Sequence, residues 1–196
     1  MSKKEEIVSF FENNPGIHQL KRLVELGAYR NLVRKMTEEQ ILEEVSRGHY
    51  QLAGYEPETH FDLHEISAII PNSVFCLISA LYFHNVGTQV PRQYHIAIPS
   101  NQAATTRKNY SIKTCYYSEQ SHKAGIENHN GIKVYSIAKT VADCFKYRNK
   151  IGLDVAIEAL KESISNRRTT IAEIFEMAEI CRVKNVIMPY VQGYIS

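Results

Sequence analysis

Three interruptions, Asn13-Asn14-Pro15-Gly16, Gly27-Ala28 and Ser46-Arg47-Gly48, cut the first fifty residues into short pieces, each with its own periodicity. Ser2 has the character of a helix cap, Glu5 stands at capping-box spacing, and Ile7, Phe10 and Phe11 follow as an apolar stripe. This predicts a helix from Ser2 to Asn13, ended by the first breaker. A second helix is predicted from Ile17 to Leu26, with Leu20, Leu23 and Val24 on one face and Gly27 as its stop. A third starts near Tyr29 and buries Leu32, Val33 and Met36. Residues 41–45 and 49–52 read as two strands around a glycine-containing turn.

Helix, helix, short turn, helix, hairpin is the order of a winged helix-turn-helix. The fold class expected is therefore α+β. A winged helix-turn-helix spans residues 1–53, a linker with Gly54 and Pro57 spans 54–60, and a larger mixed α/β domain spans 61–196. In that domain one helix is predicted over residues 62–70, closed by Pro71-Asn72, and another from a Ser73 cap through His84. Residues 94–98 and 111–117 read as strands, and Asn128-His129-Asn130-Gly131 as the turn of a hairpin. Beyond Ser136 the periodicity becomes helical: Ile137, Val141 and Phe145, then Leu153, Ile157, Leu160 and Ile164, then a helix capped by Thr170, and a last one over residues 186–194. The domain thus carries a small sheet and a helical C-terminal end.

Net charge is only +2, so the chain does not coat nucleic acid by bulk charge. Its cations are sorted. Residues 18–35 contain Lys21, Arg22, Arg30, Arg34 and Lys35 against Glu25 alone, with acids gathered before and after. In a helix-turn-helix the later helix enters the major groove and its early residues meet base edges. Here it presents Tyr29, Arg30, Asn31, Arg34 and Lys35; arginine suits guanine and asparagine suits adenine. Lys21 and Arg22 suit phosphates, and Arg47 and His49 at the hairpin tip suit a minor groove or the flanking backbone. Residues 101–150 hold nine basic side chains against three acids, so Lys133, Lys139, Lys146 and Arg148 form a second candidate surface, for a partner or for DNA. The plainer reading of both groups is a set of solvated helix-face charges, with Lys139 and Asp143 as an exposed i, i+4 pair.

Other chemistries have weaker signatures. His60 and His64 have helical metal-ligand spacing, with Asp62 and Glu65 nearby but no cysteine or further histidine close by, so no metal or other cofactor is expected. No nucleophile elbow, phosphate-binding glycine loop or dinucleotide fingerprint is present, and no catalytic residues are assigned. Glu127, Asp143, Lys133 and Lys139 leave a nucleic-acid-processing enzyme as an alternative, and a non-catalytic interaction module is another. No apolar run approaches the ~18 residues of a membrane span. The N-terminus lacks an export core and the four cysteines are scattered, so a cytoplasmic location and free buried thiols are expected.

Residues 74–84, followed by Gln89-Val90-Pro91 and residues 95–99, resemble the AbiEi antitoxins of abortive-infection systems. So do residues 131–148 and 150–160, while Ser46-Arg47-Gly48-His49-Tyr50 resembles the wing that closes the family's DNA-binding module. The acidic stretch Met36-Thr37-Glu38-Glu39-Gln40 departs from the pattern. The resemblance implies an antitoxin in a two-gene bacterial operon. Its N-terminal domain would repress the operon's promoter, through inverted repeats if two copies bind together, and its C-terminal domain would counter a cognate nucleotidyltransferase toxin, directly or indirectly, in phage defence.

Overall fold

The computed structural model describes residues 2–55, 60–70, 72–102, 110–129 and 131–195. The chain divides into two compact units, Met1–Pro71 and Asn72–Ser196. Together they make a mixed α+β fold with two sheets and a run of C-terminal helices.

The first unit opens with α1 (Lys3–Asn13), and the Ser2–Glu5 capping box forms as expected. Two short elements follow, β1 (His18–Gln19) and α2 (Leu20–Glu25), then α3 (Arg30–Glu38), β2 (Leu42–Ser46) and β3 (His49–Leu52). The three strands form an antiparallel sheet in the order β1-β3-β2. Residues 17–19 therefore do not belong to the second helix. His18 and Gln19 pair with Tyr50 and His49, and the His18 ring packs edge-on to Phe10 and Phe11. The free edge of β3 satisfies their backbone better than an extra helical turn, and two residues are too few to leave an alternating pattern. Ile7, Phe11, Leu23, Ala28, Val33, Met36 and Leu42 form the core of this unit.

A further helix, α4 (Phe61–Ile69), falls within the first unit. The sequence predicts the break before this helix, whereas the compact units meet between residues 71 and 72. Most of the expected linker, 56–59, and the expected helix stop at Pro71 lie outside the described residues.

The second unit holds a five-stranded mixed sheet in the order β6-β5-β4-β8-β7. Its strands are β4 (Val74–Phe75), β5 (Tyr94–Pro99), β6 (Ile112–Tyr117), β7 (Ile126–His129) and β8 (Ile132–Tyr135). Pairs β5–β6 and β4–β8 are parallel; β4–β5 and β7–β8 are antiparallel. The helix expected from Ser73 through His84 splits into β4 and α5 (Leu77–His84), because Val74 and Phe75 pair with Ala97 and Ile96. An apolar run has no period to separate a buried strand from a buried helix. The short α6 (Glu119–Lys123) and α8 (Arg148–Ile151) were not anticipated. Helices α7 (Ile137–Lys146), α9 (Leu153–Ser165), α10 (Ile171–Cys181) and α11 (Lys184–Ile195) complete the unit. Ser136 caps α7, and Thr170 with Glu173 forms a capping box on α10. One core gathers Tyr117 and Tyr135 from the sheet with Val141, Phe145, Leu160, Ile174 and Ile187 from the helices. α7 lies in its middle, buried at every position from Ala138 to Phe145.

Candidate functional site

The 3.6-residue repeat of α3 sends Val33 and Met36 into the core and leaves Arg30, Asn31, Arg34 and Lys35 exposed on the other side. Arg30 and Arg34, and likewise Asn31 and Lys35, are one turn apart. Arg34 lies 3.5 Å from Glu38 and Lys35 lies 3.8 Å from Glu39, both solvated pairs that a stronger anion can displace. Glu39 is also engaged by Lys4 at 2.6 Å, and the bond from Lys4 holds its carboxyl below the usual range. The acidic stretch after α3 thus serves as counter-charge to it. Tyr29, 63% exposed, stands at the N-cap of α3 and offers no side-chain cap, and its carbonyl accepts the Leu32 amide at 2.9 Å.

The remaining candidates flank this face. Lys21 and Arg22 are exposed on α2, with Arg22 3.2 Å from Glu25 and its guanidinium over the Phe10 ring. The Leu20 amide donates to the Gly48 carbonyl at 2.8 Å, which sets the start of α2 beside the turn that carries exposed Arg47. His49 does not fit the expected role. It is half-buried, with Nδ1 3.1 Å from the Arg47 carbonyl and Nε2 sealed from solvent. The pairing of His49 with Gln19 draws the residue into the sheet, away from the tip.

The second basic group does not hold together as a surface. Lys139 is completely buried, and so is Asp143, whose Oδ2 it meets at 2.5 Å. This overturns both expectations for Lys139, a partner-facing cation and an exposed ion pair. Its ammonium lies 4.7 Å from the Tyr117 ring centre and 4.1 Å from that of Tyr135. The Cys181 thiol donates to the other Asp143 oxygen at 3.2 Å. Burial pushes the Asp143 carboxyl up, against the pull of Lys139, and it pushes the Cys181 thiol to about 11. The sequence carries one clue: Ala138 and Ala142, one turn apart, form a row of small side chains along one side of the pair. Lys133, Lys146 and Arg148 remain partly exposed; the Lys146 ammonium lies 5.4 Å from the Tyr117 ring centre, and Arg148 donates to the Phe145 carbonyl at 2.9 Å.

All four cysteines are free and buried. Among the described residues no group of three or more potential ligands is placed to hold a metal, His60 and His64 included. Among the same residues no helix is long and apolar enough to cross a membrane.

These elements define an α+β protein of two units, each built on its own small sheet. No protein-family model matches the chain, and no curated protein sequence does. Its fold is similar to the crystal structure of RV2827C protein from Mycobacterium tuberculosis, with a TM-score of 0.56 over 90% of this chain and 71% of that one. At 10% sequence identity this likeness concerns the fold alone.

Proposed function

We propose that the first unit is a winged helix-turn-helix that binds operator DNA, and that the chain is an antitoxin that represses its own operon and counteracts a cognate nucleotidyltransferase toxin. The observation that carries the DNA half is the α3 face. Arg30, Asn31, Arg34 and Lys35 are exposed while Val33 and Met36 anchor the other side. The element order from α1 to β3 and the antiparallel strands suit the motif. Arg30 and Arg34 read guanine edges, Asn31 reads adenine, and Lys21, Arg22 and the open N-terminus of α3 take phosphates. Arg47 reaches the flanking backbone.

The antitoxin half rests on the resemblance of residues 74–84, 89–91, 95–99, 131–148 and 150–160 to AbiEi antitoxins. Lys133, Lys146 and Arg148 are what remain of its basic partner surface. Of the residues named for the alternative of a nucleic-acid-processing enzyme, Lys139 and Asp143 have no exposed side-chain surface, while Glu127 and Lys133 are partly exposed.

Fluorescence anisotropy on the chain's own promoter fragment tests the DNA half. Arg30→Ala and Arg34→Ala should each weaken binding by ~1–3 kcal/mol and relax base preference. Wild-type affinity in the double variant would remove α3 from the interface. Growth rescue on co-expression with the neighbouring gene product tests the antitoxin half; no rescue by the full chain would end that reading.

A further inference from the structure

β6 is an end strand of the five-stranded sheet, with β5 on one side and, among the described residues, no strand on the other. The Tyr94 and Ser100 amides donate to the Ser111 and Tyr117 carbonyls, each at 2.8 Å. In this parallel pair the odd-numbered residues of β6 therefore turn their backbone groups towards β5. Ile112, Thr114 and Tyr116 present theirs to the open edge. The Tyr147 hydroxyl takes the Tyr116 carbonyl at 3.1 Å, while among the described residues nothing takes the N–H and C=O of Ile112 or Thr114. An unpaired row of this kind is a template for a further strand.

The two faces of the strand at that edge differ. Cys115 and Tyr117 point into the core beneath the helices, and alternation sets Lys113 on their side. Lys146 and Lys150 join it from α7 and α8, with their ammonium groups 6.0 Å and 5.5 Å from the Tyr147 ring centre. Among the described residues none of the three lysines is paired with a carboxylate. Lys113, Tyr147 and Lys150 also border a hollow of about 160 Å³ whose lining holds no carboxylate. That is far below the ~300–1,000 Å³ of pockets that hold whole small molecules, and suits one side-chain carboxylate. The opposite face carries Ile112 and Tyr116, the latter 50% exposed. A strand added here is matched when acidic and apolar side chains alternate, the acids towards the lysines and the apolar ones beside Ile112 and Tyr116. A second copy of this chain fits poorly, because antiparallel pairing of β6 with itself brings two sets of lysines together. We propose that β6 is the docking edge for an extended, alternately acidic and apolar segment of a protein partner, which adds as a further strand with its carboxylates among Lys113, Lys146 and Lys150. The site belongs to the second unit alone and depends on neither half of the function proposed above.

Calorimetry with the full chain and the peptide acetyl-Val-Glu-Val-Glu-Val-Glu-amide should give saturable binding, and the same peptide with lysine in place of glutamate should not bind. Two N-methylated versions of the acidic peptide, one methylated on its valine amides and one on its glutamate amides, read the backbone contact. In an added strand only alternate N–H groups face β6, so one version should lose at least tenfold in affinity and the other should stay within twofold. Lys113→Ala and Lys150→Ala should each weaken the peptide at least threefold while thermal unfolding stays as in the wild type. Thr114→Pro removes an edge donor but no bond to β5, and should also lose at least tenfold. Absence of saturable binding, equal behaviour of the two methylated peptides, or wild-type affinity in the Lys113→Ala, Lys150→Ala double variant would overturn the assignment. If that double variant weakened binding to random duplex DNA and left the peptide untouched, the lysines would serve nucleic acid and the proposal would fall. It would fall too if sedimentation showed a wild-type dimer that Thr114→Pro dissolved, since a second copy would then hold the edge.

Discussion

Lys139 and Asp143 set an ion pair inside the core of the second unit. An i, i+4 lysine–aspartate pair on a helix is ordinarily a solvated ornament, yet here both charges lie at zero exposure with two tyrosine rings and a thiol around them. A buried pair is expensive to break: Asp143→Ala leaves the ammonium uncompensated and should cost ~3–5 kcal/mol in urea unfolding. The double variant Lys139→Met with Asp143→Leu should recover most of that loss; an equally unstable double variant would show that packing, and not charge, dominates the site. His95 makes a second residue-scale prediction. Burial, with Lys113 nearby, lowers its pKa from 6.5 to about 4. Between those values the unfolded chain takes up a proton that the folded chain refuses, so the contribution of His95 is complete above pH 6.5 and is lost as pH falls towards 4. At about 1.4 kcal/mol per tenfold change in proton affinity, it is worth up to about 3 kcal/mol. His84 and His122 shift in the same direction, chiefly by burial. The slope of stability against pH in His95→Gln should therefore be shallower over this range but not flat, and an unchanged slope would count against the assignment.

At the scale of the element, turns decide where helices and strands may lie. Gly125, between α6 and β7, has φ +68°, and a Cβ there would sit 2.7 Å from the Lys139 Cβ and 3.0 Å from the Ser136 hydroxyl. Its carbonyl also accepts the Ser136 amide at 2.7 Å. Gly125→Ala should lower stability by more than ~1 kcal/mol, since strained backbone and a clash add. Gly193, within α11, meets nothing within 4 Å, so Gly193→Ala should raise stability by ~0.5–1 kcal/mol. Thermal melts of the two variants should move in opposite directions. The contrast also explains what was legible. The capped helices α1, α7 and α10, the periodic helices α3 and α9, and the β2–β3 and β7–β8 hairpins are readable because local chemistry alone specifies them. β1 and β4 were not: each has two residues, and each exists only because a distant strand offers its edge. The α3 cations were legible through the same amphipathic pattern that predicted the helix. The burial of Lys139 and the partial burial of His49 were not, because both are set by elements far away in sequence.

For the whole molecule, a net charge of +2 leaves little long-range attraction to DNA, so on the proposed DNA-binding reading affinity must come from local, sorted cations. Binding measured against salt should therefore be steep but numerically limited, with each phosphate-contacting residue removed lowering the log–log slope by ~0.9. Lys21→Ala should weaken all sequences alike and lower that slope, whereas Arg30→Ala should act mainly on operator over random DNA. If Lys21→Ala left the slope unchanged, α2 would not touch the backbone. The sealed ammonium of Lys139 carries a different consequence. An amine reagent cannot reach it while the second unit is closed, so acylation at that position, followed over hours beside the exposed lysines, becomes an internal clock for how often the interior of the unit breathes open.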